Sequence, residues 1–493
     1  MHATIRPRLE LLGKDLIEEI VKEALIILES QGVFVENSEA RALFRDAGIK
    51  VDDDGQRVFP TPTLVQDALK STPARITMYD RDGDRSYTVG GDDVHFDPGS
   101  AAVTLLDHRS LEERPAVTAD LVRFAVLTDR LEHIDFQSTG LIGNDVADIV
   151  SDSYRLYLGL LHCRKPIVTG TFRVEGFAPM LEMLTAVRGS AEALAEKPLA
   201  IFDACPSPAL KWSNLTTQSL IDSARAGIPS ELISMGMTGA TSPVTLTGTL
   251  VQHVAENLCG LAICQLASRG APVIFGGSPS SFDMRKGTTP MGAVETMMID
   301  AAYVQIAKHL NLPTHAYMGL SDSKLNDSQA GMETGIGAVL AALAGVNVIS
   351  GPGMLDFESC QSLEKLVIDN DICGMALRLV RGVEQRDDPI ATTLFEGFTR
   401  DTQFLTMEHT RKWYREEHNY PHLVDRDTYD VWAGQGRRSM PERALKRVDD
   451  LLAEAPPSLP EAELQSRLEE IMRRDAAQNG VSGLPGLPED LAR

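Results

Sequence analysis

Apolar side chains at Leu16, Ile17, Ile20, Val21, Ala24, Leu25 and Leu28 recur at helical spacing, and predict an amphipathic helix over 14–30. GVFVEN then reads as a short extended segment, and SEARALFRDAG as a second helix stopped by Gly48. A turn at 52–55, a short strand reaching Phe59 and a helix from Thr63 to Ser71 follow. Their apolar faces predict a cap packed against a larger body.

From residue 93 the pattern changes. Segments rich in β-branched and aromatic residues alternate with longer helical ones. The strand candidates are VHFDPG (94–99), HIDFQSTG (133–140), PIVTGTF (166–172), PLAIFDACP (198–206), ELISMGMTG (231–239), PVIFGGSP (272–279), PTHAYMGL (313–320) and VNVISGPG (346–353). Helices are predicted between them and once more after the last, over about 362–381. Strand–helix alternation implies parallel βαβ units, and eight in succession are what a closed (β/α)8 barrel requires. An open doubly wound sheet is the competing architecture, but no GxGxxG follows an early strand. The expected fold is therefore α/β, a (β/α)8 TIM barrel with an N-terminal α+β cap and a C-terminal helical extension. The expected boundaries are a cap at 1–92, a barrel at 93–400, the extension at 401–475 and a flexible Gly- and Pro-containing tail at 476–493.

Charge narrows the class of partner. With 47 basic against 70 acidic residues the chain carries a formal −23, which argues against nucleic acid or an anionic membrane surface as a partner. No apolar run approaches the roughly 20 residues of a membrane span. The N-terminal MHATIRPRLELLGKDLIEEI lacks the apolar stretch of a signal peptide, so a cytoplasmic location is expected. The six cysteines form no CxxC pair, and neither a disulfide framework nor a bound metal is expected.

In a barrel the catalytic residues stand at the C-terminal ends of the strands. Five strand tops carry an aromatic: Phe96, Phe172, Phe202, Phe275 and Tyr317. Converging rings would attract an alkylammonium ion, by about 0.5–2 kcal/mol per well-placed ring, although any one of them could equally be core. Asp97, Asp203 and Asp322 could balance an ammonium charge or serve as helix caps and turn formers. His315 is the leading histidine, either a ligand-binding or a core residue. The tops FGGSPSS and SGPGM admit phosphate, but with no adjacent basic residue they better fit the approach of a flat group to bare backbone.

Several longer stretches resemble the trimethylamine methyltransferase superfamily over about residues 10–450. The opening run IVKEALIILESQGVFVENSEARALFRDAGIKVDDDGQRVFPTPTLVQDAL is similar. So are LLDHRSLEERPAVTADL, with Asp107, Arg114 and Asp120, and HTRKWYREEHNYPHLVDRDTYDVWAGQG. The most specific match is SDSKLNDSQAGMETGIGAVLAALAGVNVISGPGML. The resemblance implies a barrel enzyme that moves a methyl group from a methylated amine to the Co(I) corrinoid (cobalamin) of a small partner protein. Members acting on trimethylamine carry pyrrolysine, whereas this sequence has only the twenty standard residues. That places the resemblance with the pyrrolysine-lacking branch, which includes demethylases of glycine betaine and related quaternary amines.

On this reading the catalytic residues are Asp322 and His315. The substrate would meet Phe96, Asp97, Phe172, Phe202, Asp203, Phe275 and Tyr317. The corrinoid would face Gly276, Gly277, Ser278, Gly351 and Gly353. A betaine carboxylate would need a donor, for which Arg173, Arg285 and His315 are the candidates. Self-association is expected by analogy with other large barrels. Two other functions compete: a lyase or aldolase forming a Schiff base at Lys324, and a family member that binds quaternary amines without demethylating them.

Overall fold

The computed structural model describes residues 4–107, 109–454 and 458–487. Eight short strands lie at its centre: β1 (His95–Asp97), β2 (Gln137–Ser138), β3 (Ile167–Thr169), β4 (Ala200–Ala204), β5 (Ser230–Ser234), β6 (Val273–Gly277), β7 (His315–Tyr317) and β8 (Val348–Ser350). Each is followed by a helix: α1 (Thr118–Arg130), α2 (Ser151–His162), α3 (Phe177–Arg188), α4 (Asn214–Ala226), α5 (Leu246–Ala267), α6 (Val294–His309), α7 (Ser328–Ala344) and α8 (Leu363–Val380). The helices begin and end where local chemistry dictates. Ser213 Oγ accepts from Thr216 N at 3.2 Å to start α4, and Gly227 ends it in the left-handed region. Asp327 and Gly345 do the same for α7.

Parallel pairing runs unbroken from β2 to β6, and again from β7 through β8 to β1. The two arcs join at both seams. Phe275 N donates to Pro313 O at 2.9 Å, and Asp135 N and Phe136 N both donate to Phe96 O, at 2.8 and 3.2 Å. The ring is closed, as the eight alternations require.

Its lower interior is apolar. Phe136, Val168, Ile201, Ile274 and Val348 form a layer closed from below by Ile76, Met78 and Val89. Those three sit on a hairpin, Arg75–Tyr79 paired with Ser86–Gly90, in a stretch where the sequence predicts no element. The hairpin plugs the N-terminal end of the barrel.

The N-terminal helix Lys14–Ser30 buries Ile17, Ile20, Ala24 and Leu28 against α5. Strand Val33–Val35 pairs in parallel with Lys211–Trp212, in the loop after β4, which ties the N-terminal segment to the barrel mouth. Covered on its outer side, α5 is buried from Thr249 to Gln265. A second sheet, also absent from the sequence reading, joins the loops after β1 and β8: Thr104–Asp107 and Glu112–Pro115 with Met354–Leu355 and Cys360–Gln361. Here Asp107 accepts from Arg109 N and Ser110 N to form the turn, and Arg114 holds Asp120 through two bonds of 2.7 and 2.8 Å.

The C-terminal helix Met440–Ala453 packs on α1 and α8, and Ala462–Gln478 packs on α2 and α3. The stretch read as a flexible tail continues that helix to Gln478, and Val481, Leu484 and Leu487 then lie against the core. The remainder of that tail, 488–493, is outside the described residues. Among the described residues no helix is long and apolar enough to cross a membrane.

Candidate active site

Successive strand residues point alternately into the lumen and out toward the helices, and neighbours in register share a direction. Asp203 is in register with Glu231, and Tyr317 and Asp97 flank Ser350 on either side. All five line the upper interior together with His315. Ser350 Oγ donates to Asp97 Oδ2 at 2.8 Å and lies 3.0 Å from His315 Nε2. The same ring nitrogen is 3.3 Å from Glu231 Oε1, and Asp203 stands beside Glu231 in strand register. A continuous polar chain therefore runs Asp203–Glu231–His315–Ser350–Asp97. Beside it, the Tyr317 hydroxyl is 3.0 Å from Ser100 Oγ, and Ser100 N donates to Glu358 Oε1 at 3.3 Å. Glu358 reaches the mouth from a loop in which Asp356, Phe357 and Glu358 all take positive φ, at 47°, 55° and 70°. Three such non-glycine residues in succession are backbone strain, a feature that concentrates at functional sites.

Four acids in one buried mouth cannot all ionise. Burial holds Asp97 well above the ordinary carboxylate range against the opposing Ser350 bond, with the Asp203 and Glu358 charges adding to the rise. Glu231 is raised by burial and by Asp203 and Asp97, and Glu358 by burial and by Asp203. Asp203 is raised by burial, eased by the neighbouring Glu231 carboxyl and by the charge of Arg155. His315, with no exposure at all, is pushed down to about 3 by burial and is neutral. Asp97 Oδ1, Asp203 Oδ1, both Glu231 oxygens and His315 Nδ1 have no hydrogen-bond partner. Each buried atom left without a partner costs about 1–3 kcal/mol, a cost that a cationic ligand would remove. Among the described residues no group of His, Cys, Asp or Glu is arranged to hold a metal ion.

The aromatic mouth is corrected by this geometry. Phe202 points outward, its ring 5.0 Å from that of Phe177 on α3. Phe275 also points outward, 5.7 Å from His253 on α5 and 6.3 Å from Tyr303 on α6. Phe96 alternates with Asp97 and is buried toward the helices, whereas His95 faces inward and stacks on Phe136 at 5.3 Å. Tyr317 faces the lumen, and Phe172 stands at the rim, 47% exposed, under the Arg155 guanidinium.

Asp322 lies apart from the acid cluster. Its Oδ1 accepts from Met291 N at 2.9 Å and both its oxygens from Gly292 N at 3.0 Å, so it fixes the loop before α6. Burial lifts it to about 6. Gly276 faces inward, where a Cβ would stand 2.9 Å from His315 Nδ1. Gly277, Gly351 and Gly353 instead make room for His253, the Met318 carbonyl and Gln361, so they are packing positions. Ser278 N donates to Ser234 O at 2.9 Å. Arg173 is held by Asp475 at 2.7 Å, and Arg285 is an exposed partner of Asp283. Lys324 is half-exposed and paired with Asp356 at 2.9 Å, without the apolar burial that imine-forming lysines need.

The sequence reading missed Glu231, Glu358 and Arg155 as site residues. Glu231 left a signal, an acid inside the apolar strand ELISM. Glu358 left none, since it lies eight residues past the end of β8.

Comparison with known proteins now bears on this site. The family described as trimethylamine methyltransferase (MTTB) matches residues 2–480. A trimethylamine methyltransferase of Desulfitobacterium hafniense is 32% identical over 459 residues, 93% of this chain and 92% of its own. A glycine betaine methyltransferase of the same species is 30% identical over 476 residues, 96% of this chain and 98% of its own. Among solved structures, the monomethylamine methyltransferase of Methanosarcina barkeri superposes with a TM-score of 0.51 at 12% identity, covering 92% of this chain and 90% of that one. At that identity the likeness is one of fold.

Proposed function

The chain belongs to the trimethylamine methyltransferase family and is a methyltransferase; from that premise we propose that it takes a methyl group from a quaternary methylammonium donor, of which glycine betaine is the type, and passes it to the Co(I) corrinoid of a small partner protein. The observation that carries the reading is the buried group Asp97, Asp203, Glu231 and Glu358, in which Asp97 Oδ1, Asp203 Oδ1 and both Glu231 oxygens have no hydrogen-bond partner among the described residues. A methylammonium ion supplies the missing charge. The donor class rests on the standard-residue sequence and on the relative named for glycine betaine. Trimethylamine is the alternative donor, after the relatives named for it.

The corrinoid supplies a Co(I) nucleophile: the methyl carbon leaves nitrogen without its electron pair, and that pair departs on a neutral amine. The residues of this chain hold the cation, exclude water and orient the scissile C–N bond. Once the methyl group has left, the amine carries no charge and the acids hold it less tightly, which favours release. Ser350, itself 3.0 Å from the neutral His315 ring, keeps Asp97 Oδ2 in place. Gly276 makes room for the His315 ring, and Gly277, Gly351 and Gly353 are likewise occupied in packing. The corrinoid must therefore approach over the rim loops.

The test is anaerobic incubation with Co(I) cobalamin and glycine betaine, choline or trimethylamine, following loss of the Co(I) absorbance. Consumption is expected with a quaternary donor and a fall of about 100-fold or more in Asp97→Asn, a loss of about 2.7 kcal/mol. A folded protein that binds amines yet never consumes Co(I), with the native corrinoid partner also present, would be the binding-only alternative.

A further inference from the structure

Resting on the quaternary-amine reading, we infer that Arg155 is the carboxylate anchor of the donor site, so that the enzyme selects a zwitterionic betaine over a simple methylammonium cation. Arg155 sits in the first turn and a half of α2, whose N-terminus opens on the barrel mouth. Its side chain is 4% exposed, yet among the described residues it makes no ion pair. One hydrogen bond is made, from Nη1 to Thr139 O at 2.6 Å just above β2, and Nε has no partner. Phe172 covers the guanidinium face at 4.4 Å.

The two nearest acids do not neutralise it. Asp152 is occupied by Phe172 N at 3.0 Å and Ser153 N at 2.8 Å, and Arg173 flanks it at 3.9 Å. Asp203 belongs to the acid cluster and is in register with Glu231. A buried guanidinium left with donors to spare is costly to the protein, and its planar fork matches a carboxylate. Between Arg155 and the acid cluster lies the top of β3, where Gly170 has no side chain; a Cβ there would come within 3.5 Å of Asp203 Cβ. The mouth thus offers acids for an ammonium group and, across the bare backbone of Gly170, one unpaired guanidinium for a carboxylate. Arg173 and Arg285, the sequence candidates for this task, are both already paired.

Calorimetric titration separates this inference from methyl transfer, since it needs no corrinoid. Glycine betaine and choline share the trimethylammonium head and differ in carboxylate against hydroxyl. Wild type should bind glycine betaine more tightly than choline. Arg155→Gln should weaken glycine betaine by about tenfold or more and choline by less than about threefold, with Arg155→Lys intermediate for glycine betaine. Should Arg155→Gln fail to fold, Phe172→Ala keeps the arginine but opens it to water, and should weaken glycine betaine alone. Equal losses for both ligands, no loss for either, or wild-type preference for choline overturns the inference. Arg155-dependent betaine binding without any consumption of Co(I) leaves it standing and removes the methyl-transfer reading instead.

Discussion

At the scale of single residues, Glu231 shows what the site costs the fold. Burial and the neighbouring acids hold its carboxyl protonated well above the ordinary range. The unfolded chain releases that proton near pH 4, so above this pH the folded state binds more protons than the unfolded one. Stability then falls as pH rises toward the folded-state value. Glu231→Gln retains the shape of the protonated acid and removes the dependence. Its Tm should exceed that of wild type by on the order of 2 °C at pH 8 and converge with it below about pH 4. Substrate affinity should fall in the same variant. Scanning calorimetry across pH checks both signs, and a Tm below wild type at pH 8 would refute the account. Asp97, Asp203, His315 and Tyr317 were legible because they stand at strand ends. The phase of alternation was not legible: both faces of a barrel strand are buried, so Phe96, Phe202 and Phe275 look as plausible inward as outward.

At the scale of elements, the eight strand–helix units were readable from hydrophobic period, proline starts and glycine stops, because those signals are local. The clamp on the last helix was not. Asp475 on Ala462–Gln478 accepts from Ser153 Oγ at 2.6 Å and from Arg173 at 2.7 Å, across some three hundred residues of sequence. It is 4% exposed and joins that helix to α2 and to the loop after β3. Asp475→Ala takes from the mostly buried Arg173 its 2.7 Å partner, leaving only Asp152 at 3.9 Å, and should cost about 3 kcal/mol. Denaturant unfolding measures the loss, and hydrogen exchange should rise first along 462–478. A change under about 0.5 kcal/mol would mean the helix is held by its apolar face alone.

At the scale of the whole molecule, the −23 charge gives a field that draws cations and is nearly indifferent to zwitterions. Raising ionic strength from about 0.01 to about 1 M shortens the screening length from about 30 to about 3 Å. Association of choline should slow by about tenfold over that range and that of glycine betaine by less than about twofold, as stopped-flow measurement can show. Equal slopes would mean the long-range field plays no part. By itself the sequence determined the barrel, the order of its units and the family, because period, capping and turn chemistry act over a few residues. Only the tertiary structure decided which strand residues face the lumen, that Glu358 enters from a distant loop, and that Arg155 rather than Arg173 or Arg285 is left unpaired. The reason is physical: a charge in a buried site is defined by partners brought together through closure of the ring, and that closure joins residues whose separation along the chain carries no local signal.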